Sequence, residues 1–234
     1  MLQKIQKNKN YVKGVFDKVF NKYDLMNDLM SLGAHRYWKK ELIHMLNPSK
    51  SKKLIDVGCG TGDIPKIYLE MTKSCSEILC VDPNQKMLNL AKKKLSAYKN
   101  IKYKLSYAEK LKAPDKSFNY YIISFGLRNT GDINKSISEA YRVLKVGGKF
   151  LCLEFSKIEN DNLDKFYKFY SKLIPKIGKV VVGEDEPYKY LIKSIDKFVN
   201  QEQLKNILIK NQFKNCGYRN LSGGIVSIHY GWKL

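Results

Sequence analysis

The sequence predicts an α/β protein: a Rossmann-like, seven-stranded sheet with helices on both faces and a helical cover at the N-terminus. Three observations predict it. Lys53 to Val57 is a short apolar, partly β-branched run, and it leads into a turn carrying Gly58, Gly60 and Gly62. Short runs of this kind then alternate with stretches of helical spacing, as strands alternate with crossover helices in a parallel sheet. The last two runs, around Ser222-Gly223-Gly224, have no helix between them and read as a hairpin that makes the final strand antiparallel. The chain has 234 residues, enough for one large domain, and 44% hydrophobic content allows a full core. Residues 1–50 read as the cover and 51–234 as the main domain, the two forming one structural unit.

The glycine turn carries the first chemical signal. A strand, a glycine turn and a helix N-terminus together make a nucleotide crevice. Folds that hold a pyrophosphate favour G-x-G-x-x-G. Here the pattern is G-x-G-x-G, preceded by Asp56. An acid so close to the turn repels a pyrophosphate and suits a ligand with a cationic centre and an amino-acid end, S-adenosylmethionine. A second strand, Glu77 to Val81, ends in Asp82, which is placed to accept from both ribose hydroxyls. The alternative is a plain βα turn with no ligand.

The remaining elements follow in order. Tyr11 to Met45 has apolar residues at helical spacing, including Val12, Val15, Phe16, Val19 and Phe20 and then Leu25, Met26, Leu29 and Met30; Asp24 and Asn27 offer caps, and Gly33 precedes a helix from Ala34 to Leu46. Aromatic residues are dense here, and this cover either walls the substrate site or only seals the sheet edge. Asp63 to Met71 is a helix, and Asn84 to Leu95 is another with Pro83 and Asn84 at its start. Ile101 to Leu105 is the third strand, followed by Tyr107, Ala108 and Glu109 where an adenine would sit. Asn119 to Ser124 is the fourth strand, so residues 124–129, Ser-Phe-Gly-Leu-Arg-Asn, point into the crevice. Asp132 to Leu144 is an amphipathic helix read as ending on Gly147-Gly148, and Lys149 to Phe155 is the fifth strand. Asn162 to Leu173 is a helix with Phe166, Phe169, Tyr170 and Leu173 on one stripe, a lid, a membrane-facing element or core. Tyr188 to Phe198 and Gln201 to Asn211 are helices, and Phe213 to Asn220 with Gly224 to Tyr230 close the sheet. This is the layout of a class I methyltransferase.

Charge and special residues narrow the rest. The net charge is +21, from 43 Lys and Arg against 22 acids. The lysines are spread through the chain beside many Asn, Ile and Tyr, with no long basic block, as a proteome-wide compositional drift would leave them. The excess also suits loose association with acidic lipid headgroups. Five cysteines without a C-x-x-C pair point to a reducing compartment, and His35, His44 and His229 make no metal-ligand spacing, so no metal is expected. No run of about 18 apolar residues spans a membrane. A secretory core is absent and the N-terminal stretch makes an unconvincing transit peptide, which leans toward bacterial cytoplasm over the mitochondrial matrix.

Five blocks then carry a resemblance: residues 23–39 (YDLMNDLMSLGAHRYWK), 124–129 (SFGLRN), 139–144 (EAYRVL), 151–156 (LCLEFS) and 220–226 (NLSGGIV). They resemble the ubiquinone/menaquinone biosynthesis C-methyltransferases, from about Val15 to Leu234. The resemblance implies methyl transfer from S-adenosylmethionine to a ring carbon of a polyprenyl quinol, either 2-polyprenyl-6-methoxy-1,4-benzoquinol, a demethylmenaquinol, or both. It implies that Asp56, Gly58, Gly60, Thr61, Asp82, Tyr107, Ala108 and Ser124 contact the cofactor. The chain departs from the family's pattern at Tyr107, where Asn or Asp is usual, at Cys59 in place of a glycine, and at Val146 in place of a proline. A quinol needs a proton acceptor or a cation beside its hydroxyl. Arg128 and Asn129 are expected to hold the quinol oxygen, with Tyr23 assisting and His35 as a further relay candidate. The alternative for Arg128 is a structural ion pair below the crevice, and for His35 a hydrogen-bonded helix residue. Phe16, Phe20, Trp38, Phe166 and Tyr170 are expected to wall the prenyl tail. The expected setting is peripheral to the inner membrane, on the cytoplasmic or matrix side, in a quinone-biosynthesis complex or homodimer and without nucleic acid. The rival readings are a methyltransferase acting on RNA and a non-catalytic subunit of a quinone-synthesis complex.

Overall fold

The structure, a computed structural model, describes residues 14, 23–49, 51–73, 76–165, 167, 169–171, 175, 183 and 185–234. Two covering helices come first, α1 (Tyr23–Ser31) and α2 (Ala34–Leu46). The first half of the sheet follows as β1 (Leu54–Val57), α3 (Asp63–Thr72), β2 (Ile78–Asp82), α4 (Gln85–Lys94) and β3 (Ile101–Leu105). The second half is β4 (Phe118–Ser124), α5 (Ile133–Val143), β5 (Leu144–Phe155), α6 (Glu186–Asp196), α7 (Gln201–Lys210), β6 (Lys214–Leu221) and β7 (Val226–Lys233). Residues 161–165 are also helical.

The seven strands form one sheet in the order β3-β2-β1-β4-β5-β7-β6. The strands from β3 to β5 pair in parallel, and β7 runs antiparallel to both β5 and β6. Every residue of β1 and β2 is buried, which is why both read as unbroken apolar runs: central parallel strands are covered on both faces. The period of two along β1 sends Leu54 into one core and Ile55 and Val57 into the other. The Leu54 side holds Trp38, Leu42 and Ile43 of α2 together with Ile64 and Tyr68 of α3 and Tyr188 and Leu191 of α6. The opposite face is covered by Ile137 and Ala140 of α5 and by Leu204 and Leu208 of α7. The covering helix α2 is therefore part of the helical layer on one sheet face, beside α3 and α6.

Local chemistry explains most boundaries. Asn84 caps α4 by accepting from the backbone N–H of Lys86 and Met87. Asn200 and Gln203 form a reciprocal capping box at the start of α7. At α1 the capping expectation gives way: the helix begins at Tyr23, so Asp24 and Asn27 lie inside it, and Gly33 (φ 78°) leads into α2. Gly147-Gly148 does not end a helix either. The helix stops at Val143, and Leu144 already pairs with Phe118 in β5. The glycines lie in an irregular stretch before Lys149 pairs with Tyr120, and a Cβ at Gly148 would come within 2.7 Å of the Lys145 carbonyl oxygen.

Candidate active site

The chain runs from β1 outward through β2 to β3, then returns to place β4 on the other side of β1. That reversal leaves a crevice outside the carboxyl ends of β1 and β4, where open α/β sheets bind ligands. A cavity of about 910 Å³, counting its open mouth, occupies this position. Three stretches line it: Gly58 and Gly60 from the glycine turn, residues 82–84 after β2, and 107–109 after β3. The wall is completed by residues 123–126 and 129–131 around the end of β4.

The glycine turn is tied down by its own backbone. Gly58 and Cys59 donate their N–H groups to the Val81 carbonyl at 2.8 and 3.0 Å. Gly58 has φ of 69°, and a Cβ there would stand 3.7 Å from Gly126 Cα, so the turn passes close to the loop after β4. Gly62 (φ 86°) packs so tightly that a Cβ would fall 2.9 Å from Leu95 Cδ1. Asp82 organises the neighbouring wall: its Oδ2 accepts from Gly60 N at 3.0 Å and its Oδ1 from Asn84 N at 2.8 Å. Burial raises its pKa to about 6 against those two donors. Each carboxylate oxygen keeps a second lone pair for a ribose hydroxyl.

Asp56 lies lower, at the end of β1 and 1% exposed. Neither of its oxygens has a hydrogen-bond partner among the described residues. Burial, reinforced by the Asp82 charge, pushes its pKa up to about 8. It is not part of the cavity lining. Thr61 is not in the lining either; its hydroxyl accepts from Lys94 Nζ at 3.2 Å. Tyr107, Ala108 and Ser124 do line the cavity, and the buried Ser124 hydroxyl has no partner among the described residues. Glu109 also lines it and accepts from Gly131 N at 2.8 Å, which holds the loop before α5 against the cavity.

The loop after β4 separates the residues expected to work together. Asn129 lines the cavity; its Oδ1 accepts from the Tyr190 hydroxyl at 2.9 Å and its amide donates to the Phe125 carbonyl at 3.4 Å. Arg128 is elsewhere. Its Nη1 donates to Glu154 Oε1 at 2.6 Å and to the Phe125 carbonyl at 2.6 Å, its Nε donates to Ser194 at 3.3 Å, and its guanidinium lies over the Phe155 ring. Both Arg128 and Glu154 are almost fully buried. The guanidinium expected on the quinol oxygen is thus committed to an ion pair behind the cavity, because β4 and β5 are paired and bring Glu154 beneath the loop. Glu154, which the sequence reading did not select, also accepts from Arg128 N at 3.2 Å. Its only sequence signal is an acid inside the apolar run from Phe150 to Phe155. Phe125 adopts φ of 54°, outside the usual range for a residue with a side chain, as this packing requires.

The cover meets the cavity through α2. Trp38 stands 6.2 Å, ring to ring, from the cavity-lining Phe125 and 6.3 Å from Phe155. Its Nε1 donates to Ser222 Oγ at 2.8 Å, tying the cover to the β6–β7 turn. Lys39 Nζ donates to Asp63 Oδ2 at 2.7 Å, and Lys94 donates to the other Asp63 oxygen at 2.6 Å, just after the glycine turn. His35 Nε2 lies 2.9 Å from Asp28 Oδ1, Arg36 holds the same carboxylate, and His35 Nδ1 is buried without a partner among the described residues. Tyr170 donates its hydroxyl to the Leu29 carbonyl of α1. Phe16, Phe20, Phe166 and the Tyr23 side chain lie outside the described residues. Among the described residues no group of His, Cys, Asp and Glu has metal-site geometry, and no helix is long and apolar enough to cross a membrane.

The arrangement fits an adenosine-bearing sulfonium ligand. Pro83, Met87, Ala108 and Ile123 give an apolar slot, Asp82 offers acceptors to a ribose, and Ser124 has an unmet hydroxyl. Comparison with known proteins agrees. A sequence model of the ubiE/COQ5 methyltransferase family matches residues 3–233. The ubiquinone/menaquinone biosynthesis C-methyltransferase UbiE of Rickettsia bellii (strain OSU 85-389) is 47% identical over 99% of this chain and 96% of its own. The protein of the same description from Rickettsia prowazekii (strain Madrid E) is 46% identical over 95% of this chain and 92% of its own. Among solved structures, an S-adenosylmethionine-dependent methyltransferase of Thermotoga maritima superposes with a TM-score of 0.66 at 17% identity, covering 95% of this chain and 100% of that one. A phosphoethanolamine N-methyltransferase of Haemonchus contortus, solved with S-adenosylmethionine, gives 0.61 at 15% identity over 84% of this chain and 52% of that one. These two likenesses establish the fold.

Proposed function

This chain belongs to the ubiE/COQ5 methyltransferase family, and from that premise we propose that it moves the methyl group of S-adenosylmethionine onto a ring carbon of a polyprenyl quinol. The observation that carries the reading is 47% identity, along 99% of the chain, to a relative described as a quinone-biosynthesis C-methyltransferase. S-adenosylmethionine supplies an electrophilic methyl on a sulfonium. The protein supplies position: most of the rate comes from holding ring carbon and methyl at near-attack distance. Asp82 takes the ribose and the apolar slot between Pro83 and Ala108 takes the adenine. Ser124 and Asn129 face the reacting end. Arg128 and Glu154 set the loop that carries Asn129, from behind.

The substrate's long tail stays in the bilayer while its ring enters the site. The corner between α1 and α2 supports this. Leu32 is 76% exposed and Tyr37 is 55% exposed. Arg36 and Lys40, also exposed, stand beside them. An apolar tip flanked by cations fits the headgroup region of an anionic membrane, and the enzyme works from the cytoplasmic or matrix side.

The test offers a reduced short-tail methoxy-benzoquinol and a reduced demethylmenaquinol in one reaction with limiting labelled S-adenosylmethionine. Label on either quinol is the expected outcome, and the ratio names the preferred ring. Label on neither, with cofactor bound, would contradict the reading, and label on added RNA in its place would point to the nucleic-acid alternative.

A further inference from the structure

We propose that Tyr190 is a positioning residue for methyl transfer: its hydroxyl fixes the side-chain amide of Asn129 so that one amide N–H is held for the substrate's ring oxygen, whose negative charge it stabilises. The inference rests on the quinol reading above. Asn129 lines the cavity, together with Ser124, Phe125 and Gly126. Tyr190 belongs to α6, which buries Tyr188, Leu191 and Ile195 in the core on one face of the sheet. Tyr190 and Ser194 are four residues apart, so they lie on the same side of α6 one turn from each other. The Tyr190 hydroxyl donates to Asn129 Oδ1 at 2.9 Å, and Ser194 Oγ accepts from Arg128 Nε at 3.3 Å. Two successive turns of a packed helix thus hold two successive residues of the loop after β4.

The direction of the amide follows from its partners. The Phe125 carbonyl only accepts, so Asn129 Nδ2 faces it and Oδ1 faces Tyr190. The contact to Phe125 is long, 3.4 Å, and that carbonyl already accepts from Arg128 Nη1 at 2.6 Å. The Tyr190 bond is therefore the stronger hold on the amide. By drawing electron density toward Oδ1 it also makes the N–H groups better donors, as hydrogen bonds in a chain polarise one another. Nδ2 carries two hydrogens and Phe125 uses one, while the amide has no further partner among the described residues. The second N–H is left for a ligand in the cavity that Asn129 lines.

An anionic ring oxygen needs such a donor here. Asp82, Tyr107 and Glu109 are the titratable groups of the cavity lining, and the two acids oppose a further negative charge. Arg128, the cation of the same loop, is spent on Glu154. A phenolic hydroxyl ordinarily ionises at about pH 10. When it loses its proton to water at the cavity mouth, the electron pair stays on oxygen and enriches the ring carbon. A hydrogen bond given to the ionised form shifts that equilibrium toward it. The ring carbon then bonds to the methyl while the methyl–sulfur bond breaks, its pair remaining on sulfur as a thioether. The same carbon releases its hydrogen as a proton to solvent and the oxygen takes one back from water, so one proton is released per methyl moved.

The test compares the wild type with Tyr190→Phe, Asn129→Ala and the double variant. Three quantities are read for each: cofactor affinity by calorimetry, kcat on a reduced short-tail methoxy-benzoquinol from about pH 6 to about pH 10, and the pKa of bound 2-methoxy-4-nitrophenol by absorbance without cofactor. Tyr190→Phe removes one hydroxyl and keeps the ring. It is expected to hold cofactor affinity within about twofold, to lower kcat about tenfold at pH 7 and to raise the pKa of the bound phenol. Asn129→Ala is expected to lose about 10²–10³-fold in kcat, as removal of one donor to a developing oxyanion does. Both losses are expected to shrink as pH rises and the quinol ionises unaided. Adding Tyr190→Phe to Asn129→Ala is expected to cost nothing further, because Tyr190 acts through that amide. A Tyr190→Phe loss that persists undiminished in the Asn129→Ala background, or a bound phenol whose pKa Tyr190→Phe leaves unmoved, would overturn the inference. If the wild type methylates no quinol, the functional reading falls, and the phenol titrations of the same proteins still decide the role of Tyr190.

Discussion

Asp56 and Asp82 stand at the ends of adjacent strands with opposite surroundings. Asp82 meets two backbone donors, whereas Asp56 meets none among the described residues. Asp56 therefore keeps its proton in the folded chain until about pH 8, while an unfolded chain releases it near pH 4. Between these values the unfolded state binds fewer protons, so stability from this group is full below pH 4 and falls as pH rises toward 8, by at most about 1.4 kcal/mol per pH unit. Urea midpoints from pH 5 to pH 8 should show this fall in the ligand-free wild type and a shallower one in Asp56→Asn; an unchanged slope would contradict the assignment. A cationic cofactor favours the ionised acids, so S-adenosylmethionine is expected to bind more tightly as pH rises from 6 to 8. The uncharged thioether product should show a smaller gain, and calorimetry in two buffers checks this. The glycine turn and Asp82 were legible in the sequence because a tight turn and a strand-end acid are local features. The missing partners of Asp56 were not, since they depend on what the other strands and helices place around it.

The elements around the crevice divide into those that line it and those that brace the lining. The loop after β4 was expected to point its polar residues into the site, and it does so for Ser124 and Asn129. Arg128 departs because its partner Glu154 comes from β5, twenty-six residues away, and only the strand register brings them together. Removing one member of a buried ion pair strands the other, at about 3–5 kcal/mol. Arg128→Ala should therefore lower the urea-unfolding free energy by that amount; a variant with unchanged stability and lost turnover would instead return Arg128 to the substrate. The cover shows the same principle. Its amphipathic pattern was visible, but the Trp38–Ser222 bond joins residues 184 positions apart and had no local signature. Trp38→Phe keeps most of the ring and leaves Ser222 without its donor, with an expected cost of about 1 kcal/mol in thermal unfolding. Trp38→Ala should cost about 3–5 kcal/mol and also raise KM for the quinol, because it opens the wall at Phe125.

At the scale of the whole molecule, strand number, the antiparallel end and the cavity at the reversal of strand order were all implied by the alternation of runs, since connection rules leave few topologies open. The charge of +21 was equally visible, but its distribution around the α1–α2 corner needed the fold. Vesicles with about 30% anionic lipid should retain the protein at low salt and release it as ionic strength rises, as a Debye length near 10 Å at 0.1 M requires. Leu32→Asp with Tyr37→Asp should weaken retention without changing turnover on a short-tail quinol, and retention unaltered by the double change would place the membrane face elsewhere. The most direct test of the central claim is where the methyl group goes. Reaction of a reduced methoxy-benzoquinol or demethylmenaquinol with S-adenosylmethionine carrying a ¹³C-methyl group, read by carbon NMR, should give a new methyl bonded to a ring carbon. A methyl on the quinol oxygen, or no labelled quinol while cofactor binds, would contradict it.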